Sequence, residues 1–347
     1  MERKDFIRSL GLAGFGLYSG LTGQAGTQIK REESYLSPLL IDKNGKVITT
    51  LKGWEDQRKV IESRWLGYLG YLKPNPNPPI LRVIKEDNSE GLVRQLVEYE
   101  GEPGIIVQGY LIKPQNISKP LPGVVAMHST SYRLSYIAGF EEGKPHAYGY
   151  NLARLGFVVF CPLCFLWWNN EDDHLFELQV KRFRERHPDS KGMARMLFDA
   201  MRAVDVLVSL KEVDKGRIGA MGHSLGAKEV LYLAAFDERV KAVVSNEGGI
   251  GIDFSNWDAP WYLDKDIHNF GHQHHEVLAL VAPRPFLLIG GDYADGEKSR
   301  PYIEAVMPVY DLYGKKECLQ LYNHGTGHDV TPEAEKRTYQ WLKDHLV

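Results

Sequence analysis

Short apolar runs alternate with longer amphipathic stretches from residue 123 to the C-terminus. Apolar runs of this length are typical of parallel strands that are buried on both faces. The longer stretches have apolar residues every three or four positions, which is typical of helices that cover a sheet. The alternation predicts an α/β fold with a mostly parallel central sheet and helices on both of its faces. The predicted strands are 123–128, 157–162, 217–222, 240–246, 285–291 and 318–324, and the predicted helices are 146–156, 192–210, 227–236 and 333–346.

The pattern before residue 120 is different. A helical periodicity covers residues 54–72 and stops at the proline cluster of 74–79, because proline cannot continue a helix. Three extended stretches rich in β-branched and aromatic residues follow, with turn residues between them. They predict antiparallel strands at the N-terminal edge of the sheet, at 80–87, 92–100 and 105–114.

The first 26 residues have the composition of an export signal. Three basic residues, Arg3, Lys4 and Arg8, precede a weakly apolar, glycine-rich stretch at 10–26. A basic segment followed by a short apolar segment and small residues is the order found in signal peptides. The stretch is too short and too rich in glycine to span a membrane. We expect the chain to be exported to the periplasm or secreted; a loosely packed N-terminal arm is the alternative.

The rest of the chain divides into a linker and one domain. Residues 27–53 are predicted as the linker, and 54–347 as a single domain with insertions at 165–190 and 252–275. The 347 residues include 25% charged side chains and carry a net charge of −3, without a block of Lys and Arg. Nucleic acid binding needs a positive surface to neutralise phosphates. We therefore expect no nucleic acid partner.

A serine between two glycines carries the strongest chemical signal. Residues 217–236 predict a strand, the sequence G-H-S-L-G at 222–226, and then a helix. This strand–turn–helix context resembles the nucleophile elbow of the α/β-hydrolase fold, in which the serine takes a strained backbone conformation. We predict Ser224 as the nucleophile and the N–H of Leu225, at the helix N-terminus, as one oxyanion donor. The alternative is an ordinary glycine-rich turn.

A histidine near the C-terminus is predicted as the base. A serine hydroxyl is a poor nucleophile until a base takes its proton, and in the α/β-hydrolase fold the chain order is Ser, acid, His. The loop N-H-G-T-G-H-D at 323–329 follows the last predicted strand and offers His324 and His328. We predict His328, because it follows a small Gly-Thr-Gly run and lies closer to the last helix. We expect His324, which ends the strand, to pack or to support the site.

The acid that would orient this histidine has more than one candidate. A carboxylate must accept from the second ring nitrogen to hold the tautomer and to stabilise the imidazolium. Asp295 and Asp292 lie in the loop that follows the strand at 285–291, and Glu247 directly follows the preceding strand. Either strand end can reach the same imidazole, so the sequence leaves the choice open. Each candidate could instead be a loop acid or a helix cap.

The loop after the strand at 123–127 is predicted to supply the second oxyanion donor. This is the place from which the fold takes its second backbone N–H, and it contains Ser129 and Thr130. His128, which precedes them, supports the loop or is a structural histidine. Four tryptophans fall in the two insertions, where their faces suit a carbohydrate cleft or pack a lid. They are Trp167, Trp168, Trp257 and Trp261.

Residues 222–251 resemble the nucleophile region of glucuronoyl esterases. The shared features are Ser224, Lys228 four residues later, an Asp-Glu-Arg stretch at 237–239, and Glu247 before glycines. The segment 275–299 and the Gly-His-Asp that ends at residue 329 are also similar. The same features resemble the broader dienelactone hydrolase and acetyl xylan esterase group. The resemblance implies that Lys228 contacts sugar hydroxyls and that the acid is Glu247 or follows the next strand. The family usually has Arg where this chain has Leu225.

A dense histidine cluster precedes the strand at 285–291. Imidazole suits zinc, but the cluster lacks the carboxylate–histidine spacing of zinc proteases. We predict no metal and no cofactor, with the histidines solvated or in supporting roles. The cluster is formed by His268, His272, His274 and His275.

These features together predict a carboxylic ester hydrolase that acts through a covalent acyl-enzyme. Ser224 attacks the ester carbonyl and His328 takes its proton. We expect carbohydrate esters of the acetyl or glucuronoyl type as small or polymeric substrates, with Lys228, Trp257 and Trp261 binding them. The alternatives are a peptidase or amidase on the same fold, and a non-catalytic carbohydrate-binding protein.

Overall fold

A nine-stranded mixed sheet organises the part of the chain that the structure describes. The structure is a computed structural model, and it describes residues 36–131, 133–168 and 176–347. The strands follow the order β1-β2-β3-β5-β4-β6-β7-β8-β9 across the sheet. Their bounds are β1 Arg82–Ser89, β2 Leu92–Glu100, β3 Ile106–Pro114, β4 Leu121–Met127, β5 Val158–Pro162, β6 Val213–His223, β7 Val240–Asn246, β8 Phe286–Gly290 and β9 Leu319–Asn323.

The direction of the strands changes along the sheet as the sequence pattern predicted. From β5 through β4 to β9 every neighbouring pair is parallel, whereas β1, β2, β3 and β5 pair antiparallel. All residues of β5 and β8 are buried, while β1 is a largely exposed edge strand. The predicted fold class, a mostly parallel α/β sheet with an antiparallel N-terminal edge, is therefore confirmed.

Helices pack on both faces of this sheet. On one face α5 and α6 cover the centre with the larger apolar cluster, and on the other α3 and α9 pack against a second cluster. Within the described residues no helix is long and apolar enough to cross a membrane. The helix bounds are α1 Leu51–Leu69, α2 Leu134–Ile137, α3 Tyr148–Arg154, α4 Phe176–Arg186, α5 Gly192–Ser209, α6 Leu225–Phe236, α7 His275–Ala279, α8 Arg300–Leu312 and α9 Pro332–Leu346.

The first helix begins three residues before its predicted start. The Thr50 hydroxyl accepts from the N–H of Gly53 and caps the N-terminus, and Gly70 ends the helix with φ 64°. The predicted linker differs from the structure, because Leu36, Leu39 and Ile48 are buried in the core. These apolar side chains pack into the domain core, whereas a linker would be exposed to solvent. The predicted export signal, residues 1–26, lies outside the described residues.

Both predicted insertions take part in the core. In the first, Trp167 and the α4 side chain Phe183 are buried in the larger apolar cluster. In the second, Trp257 and Leu263 are buried in the same cluster. The sequence pattern does not predict this burial. The buried residues lie in turns, 3₁₀ turns and one short helix, which are too short to show a long apolar period.

Candidate active site

The candidate nucleophile lies at a sharp turn between β6 and α6. Ser224 has φ 58° and ψ −114°, a strained conformation for a residue with a side chain. A Cβ at Gly222 would lie 2.2 Å from the carbonyl oxygen of Gly226, and one at Gly226 would lie 2.5 Å from that of Met127. Only glycine lets the strand, the helix and the neighbouring β4 approach so closely. The turn therefore has the strain and the close packing that the motif predicts.

His328 lies between the candidate nucleophile and a carboxylate. Its Nε2 is 2.9 Å from Oγ of Ser224, and its Nδ1 is 3.0 Å from Oε2 of Glu247. The carboxylate can only accept, so Nδ1 carries the ring proton and Nε2 faces the serine hydroxyl as an acceptor. The Glu247 side chain is fully buried, whereas the His328 side chain is 35% exposed. The three side chains thus form a connected chain that reaches solvent at the histidine.

Glu247 is held by the loop that follows β8. Its Oε2 accepts the N–H of Ala294 at 2.7 Å, and its Oε1 accepts the N–H of Asp295 at 3.2 Å as well as the N–H of Gly291. These backbone donors give both oxygens of the buried carboxylate hydrogen-bond partners. They also fix the direction of the side chain, which leaves Oε2 facing His328.

Asp295, the other main candidate acid, is engaged elsewhere. It accepts the N–H of Gly249 at 2.6 Å, the N–H of Ile250 at 2.8 Å and the hydroxyl of Ser299 at 2.7 Å. Burial raises the pKa of its carboxyl above the usual value. The loop after β7 thus provides the donors for Asp295, and the loop after β8 provides the donors for Glu247. We call this exchange the reciprocal carboxylate clamp.

The remaining candidates of the sequence lie at the rim. Asp292 is exposed and accepts from Asn323 Nδ2 at 2.7 Å and from the N–H of Glu297 at 3.1 Å. The His324 ring faces the hydroxyl of Thr326, with 2.6 Å between Nδ1 and Oγ1. The structure therefore brings together Ser224, His328 and Glu247, and it places Asp295, Asp292 and His324 in other contacts.

The loop after β4 lies directly beside the elbow. Met127 at the end of β4 pairs with Gly222, which precedes the nucleophile turn. Ser129 and Thr130 come two and three residues after Met127 in the chain. Thr130 and Leu225 have N–H groups for which no acceptor is found among the described residues. These two N–H groups are therefore left for a ligand to accept from.

Two residues at the site were missed in the sequence. His223 precedes the serine, and its Nε2 donates to the carbonyl oxygen of His328 at 2.7 Å. Burial, and then the neighbouring His328, lower the pKa of His223 to about 3. Tyr293 is 56% exposed, with its ring centroid 4.8 Å from that of His328. The histidine inside the G-x-S-x-G motif was a visible signal, whereas the tyrosine had none.

The predicted substrate-binding residues lie deeper than expected. Lys228 is buried; its Nζ donates to Ser255 Oγ at 2.7 Å and lies 3.9 Å from the ring centroid of Trp257. Burial lowers the pKa of Lys228 to about 7. Trp257 is 1% exposed, so it cannot present a face to a sugar, and its predicted role is wrong. Trp261 is partly buried and packs edge-on against Phe176.

The histidine cluster before β8 has structural contacts. The rings of His274 and His275 are buried: His274 faces the Tyr232 hydroxyl and a backbone carbonyl, and His275 faces the carbonyl of Ser37. His272 pairs with Glu276 at 2.9 Å. Among the described residues, no group of three or more His, Cys, Asp or Glu side chains is placed to hold a metal ion.

The sheet, the strained serine and the buried acid define the class of the protein. A serine between β6 and α6, followed along the chain by an acid and a histidine in that order, is the arrangement of an α/β-hydrolase. Residues 107–274 match the model of the dienelactone hydrolase family. The chain is therefore similar to the dienelactone hydrolase family over just under half of its length, and the resemblance seen in the sequence is confirmed.

Similar proteins agree with this class. The chain is 26% identical over 294 residues to the Bacillus subtilis protein named "Putative hydrolase YtaP", across 78% of this chain and 95% of the relative. A glucuronoyl esterase from Solibacter usitatus matches with a TM-score of 0.73 and 17% identity over 89% of this chain and 97% of that one. A CE15 glucuronoyl esterase from Teredinibacter turnerae matches with a TM-score of 0.68 and 20% identity over 89% of each chain. The comparisons support the predicted enzyme class, a carboxylic ester hydrolase.

Proposed function

We propose that the protein is a serine esterase that works through a covalent acyl-enzyme. The observation that carries this proposal is the pair of contacts made by His328, at 2.9 Å to the Ser224 hydroxyl and at 3.0 Å to the Glu247 carboxylate. The carboxylate keeps the ring proton on Nδ1, so Nε2 can accept the serine proton. A hydroxyl activated in this way is nucleophilic enough to attack an ester.

The reaction has two halves that use the same three side chains. Ser224 Oγ attacks the carbonyl carbon while its proton moves to Nε2 of His328, and the carbonyl oxygen becomes an oxyanion. The N–H of Leu225 and an N–H of the loop after β4 stabilise that oxyanion. His328 then protonates the leaving alcohol, and the acyl group stays on Ser224. Water then gives a proton to the same nitrogen and attacks the acyl carbon. His328 returns that proton to Ser224 Oγ as the bond between Oγ and the acyl carbon breaks and the acid leaves. Glu247 stabilises the imidazolium in both halves.

The proposed substrates are carbohydrate esters of the acetyl or glucuronoyl type. The structurally similar proteins named above are glucuronoyl esterases. In this chain the exposed ring of Tyr293 stands beside the candidate base, and an aromatic face suits packing against the C–H face of a sugar. Lys228 is buried, and its Nζ already donates to Ser255 Oγ. The substrate class therefore rests on the similar proteins and on Tyr293.

Substitution of Ser224 tests the chemistry. We expect Ser224→Ala to lose fluorophosphonate labelling and ester turnover while its circular dichroism spectrum stays that of the parent. Ser209→Ala is the matched control, because that hydroxyl bonds only within the end of α5. Substrates should include methyl glucuronate esters, acetylated xylan, p-nitrophenyl acetate and an aminoacyl-nitroanilide. Turnover that persists in Ser224→Ala would refute the mechanism, and exclusive cleavage of the anilide would favour a peptidase or amidase.

The proposed location is outside the cytoplasm. Support comes from the basic and weakly apolar composition of residues 1–26. Replacing Arg3 and Lys4 by Gln should retain the protein in the cytoplasmic fraction of the host cell. Equal export of the parent and the variant would contradict this proposal.

A further inference from the structure

His128 lies buried between two backbone groups of opposite polarity. Its Nδ1 is 2.8 Å from the carbonyl oxygen of Ser129, and its Nε2 is 3.0 Å from the backbone nitrogen of Cys164. The ring is 1% exposed and meets the edge of Trp167 at a centroid distance of 5.1 Å. The side chain therefore connects the loop after β4 to the segment after β5.

The two backbone partners determine the tautomer of this histidine. The N–H of Cys164 can only donate, so Nε2 must accept and cannot carry a proton. The carbonyl of Ser129 can only accept, so Nδ1 must carry the proton and donate it. Burial lowers the pKa of His128 to about 4. The ring thus stays neutral, in one tautomer, at the pH at which an esterase works.

The hydrogen bond to Ser129 also determines the direction of the next N–H. In a trans peptide the C=O of one residue and the N–H of the following residue lie in one plane and point in opposite directions. Because the Ser129 carbonyl points at His128, the N–H of Thr130 points away from it. No described residue accepts that N–H, and its loop leaves β4 where Met127 contacts Gly226 of the elbow.

We propose that His128 is a positioning residue that aims the N–H of Thr130 at the substrate oxyanion. The proposal rests on the proposed esterase function and selects Thr130, instead of Ser129, as the second oxyanion donor. His128 itself touches neither substrate nor reacting atoms. Its contribution is to hold a peptide plane before the reaction starts, which is how fixed donors stabilise charge that develops in a transition state.

Two substitutions of His128 separate this role from packing. His128→Phe keeps the ring volume but loses both hydrogen bonds, whereas the amide of His128→Gln can donate to one partner and accept from the other. For His128→Phe we expect kcat/KM to fall about 10- to 100-fold, less than the hundred- to thousandfold loss on deleting an oxyanion donor. We expect KM to stay unchanged and His128→Gln to recover most of the rate. His345→Phe, on the exposed face of α9, is the matched control.

A transition-state analogue gives the decisive measurement. The hemiketal that a trifluoromethyl ketone forms with Ser224 places an oxyanion where the substrate does, so its Ki should rise in His128→Phe by the same factor as kcat/KM falls. Thr130→Pro, which has no N–H, should make the effect of His128→Phe on Ki disappear in the double variant. Additive effects, or a Ki unchanged in a folded His128→Phe protein, would overturn the proposal.

One further measurement uses the parent protein, so it does not depend on whether a variant folds. The ¹⁵N shifts of the His128 ring in the parent protein should show a protonated Nδ1 and an unprotonated Nε2, unchanged between pH 5 and 8. A proton on Nε2 would overturn the proposal, because that tautomer cannot hold the Ser129 carbonyl. The Ser224→Ala variant distinguishes failure of the proposed esterase function from failure of the proposed role of His128. Turnover that persists in that variant removes the proposed function, whereas an inactive Ser224→Ala with a normal His128→Phe removes only the positioning role.

Discussion

Substitution of Glu247 by glutamine tests which carboxylate serves the base. Oε1 of Glu247 faces the N–H groups of Gly291 and Asp295, and Oε2 faces His328 and the N–H of Ala294. Glutamine replaces one of these oxygens by an NH₂ group. At the Oε1 position that group would leave two buried donors without an acceptor, at about 1–3 kcal/mol each. The NH₂ group is therefore expected at the Oε2 position, beside His328.

An amide NH₂ at that position reverses the tautomer of the histidine. It donates to Nδ1 of His328, so the ring proton moves to Nε2 and points at the hydroxyl of Ser224. Nε2 then cannot accept the serine proton. In a serine triad the wrong tautomer lowers kcat by about 10⁴-fold, which corresponds to about 5 kcal/mol of lost transition-state stabilisation. We expect Glu247→Gln to lose between about 10³- and 10⁴-fold in kcat, with little change in KM.

Asp295→Asn is the matched comparison. It makes the same chemical change at a buried carboxylate that contacts Gly249, Ile250 and Ser299 but not the histidine. Leaving one of these donors unpaired costs about 1–3 kcal/mol, so the variant should unfold at lower urea concentration and keep kcat within about tenfold. Steady-state kinetics on p-nitrophenyl acetate and urea unfolding give both quantities. A near-normal rate in Glu247→Gln together with a 10³-fold loss in a folded Asp295→Asn would refute the assignment of the acid.

Two further predictions concern buried groups next to the site. His223→Phe removes the hydrogen bond to the His328 carbonyl and should lower kcat about tenfold at constant KM. His223→Gln keeps a donor for that carbonyl and should lose less. Equal kcat and KM values for the two variants would contradict this. Burial raises the pKa of Glu229 to about 8 in the folded protein. In the unfolded chain the Glu229 carboxyl loses its proton near pH 4.5. The free energy of unfolding of the parent should therefore fall, by about 5 kcal/mol, as pH rises from 4.5 to 8. Urea unfolding of Glu229→Gln at pH 5 and 9 should lack this loss; the same pH dependence in both proteins would contradict it.

The nucleophile turn could be predicted because its sequence signature is local. Gly222 is needed by its contact with Gly226 within the turn, and Gly226 is needed by the close approach of Met127 from β4. The five-residue motif with a strand before it and a helix after it is nevertheless enough to identify the turn. The base was predicted for a similar reason, since His328 lies in the last loop between a strand and a helix. Local sequence is sufficient where the chain itself forces the geometry.

The acid could not be chosen from the sequence because its environment is not local. Glu247 and Asp295 both follow parallel strands, and what separates them is which backbone N–H groups of the neighbouring loop face each one. The burial of Trp257 has the same cause, because its partners Tyr232 and His274 come from distant parts of the chain. The core residues in 36–53 were missed because a short apolar segment without a period does not reveal what it packs against.

The reciprocal carboxylate clamp has a consequence for engineering. Each of the two loops contains one acid and donates backbone hydrogen bonds to the acid of the other loop. Neither loop can therefore be exchanged by itself for the loop of another enzyme. A graft of residues 247–250 alone would leave Asp295 buried without its backbone donors, and a graft of 291–296 alone would do the same to Glu247. Recombination of this scaffold with its relatives should therefore succeed only where both segments are inherited from one parent.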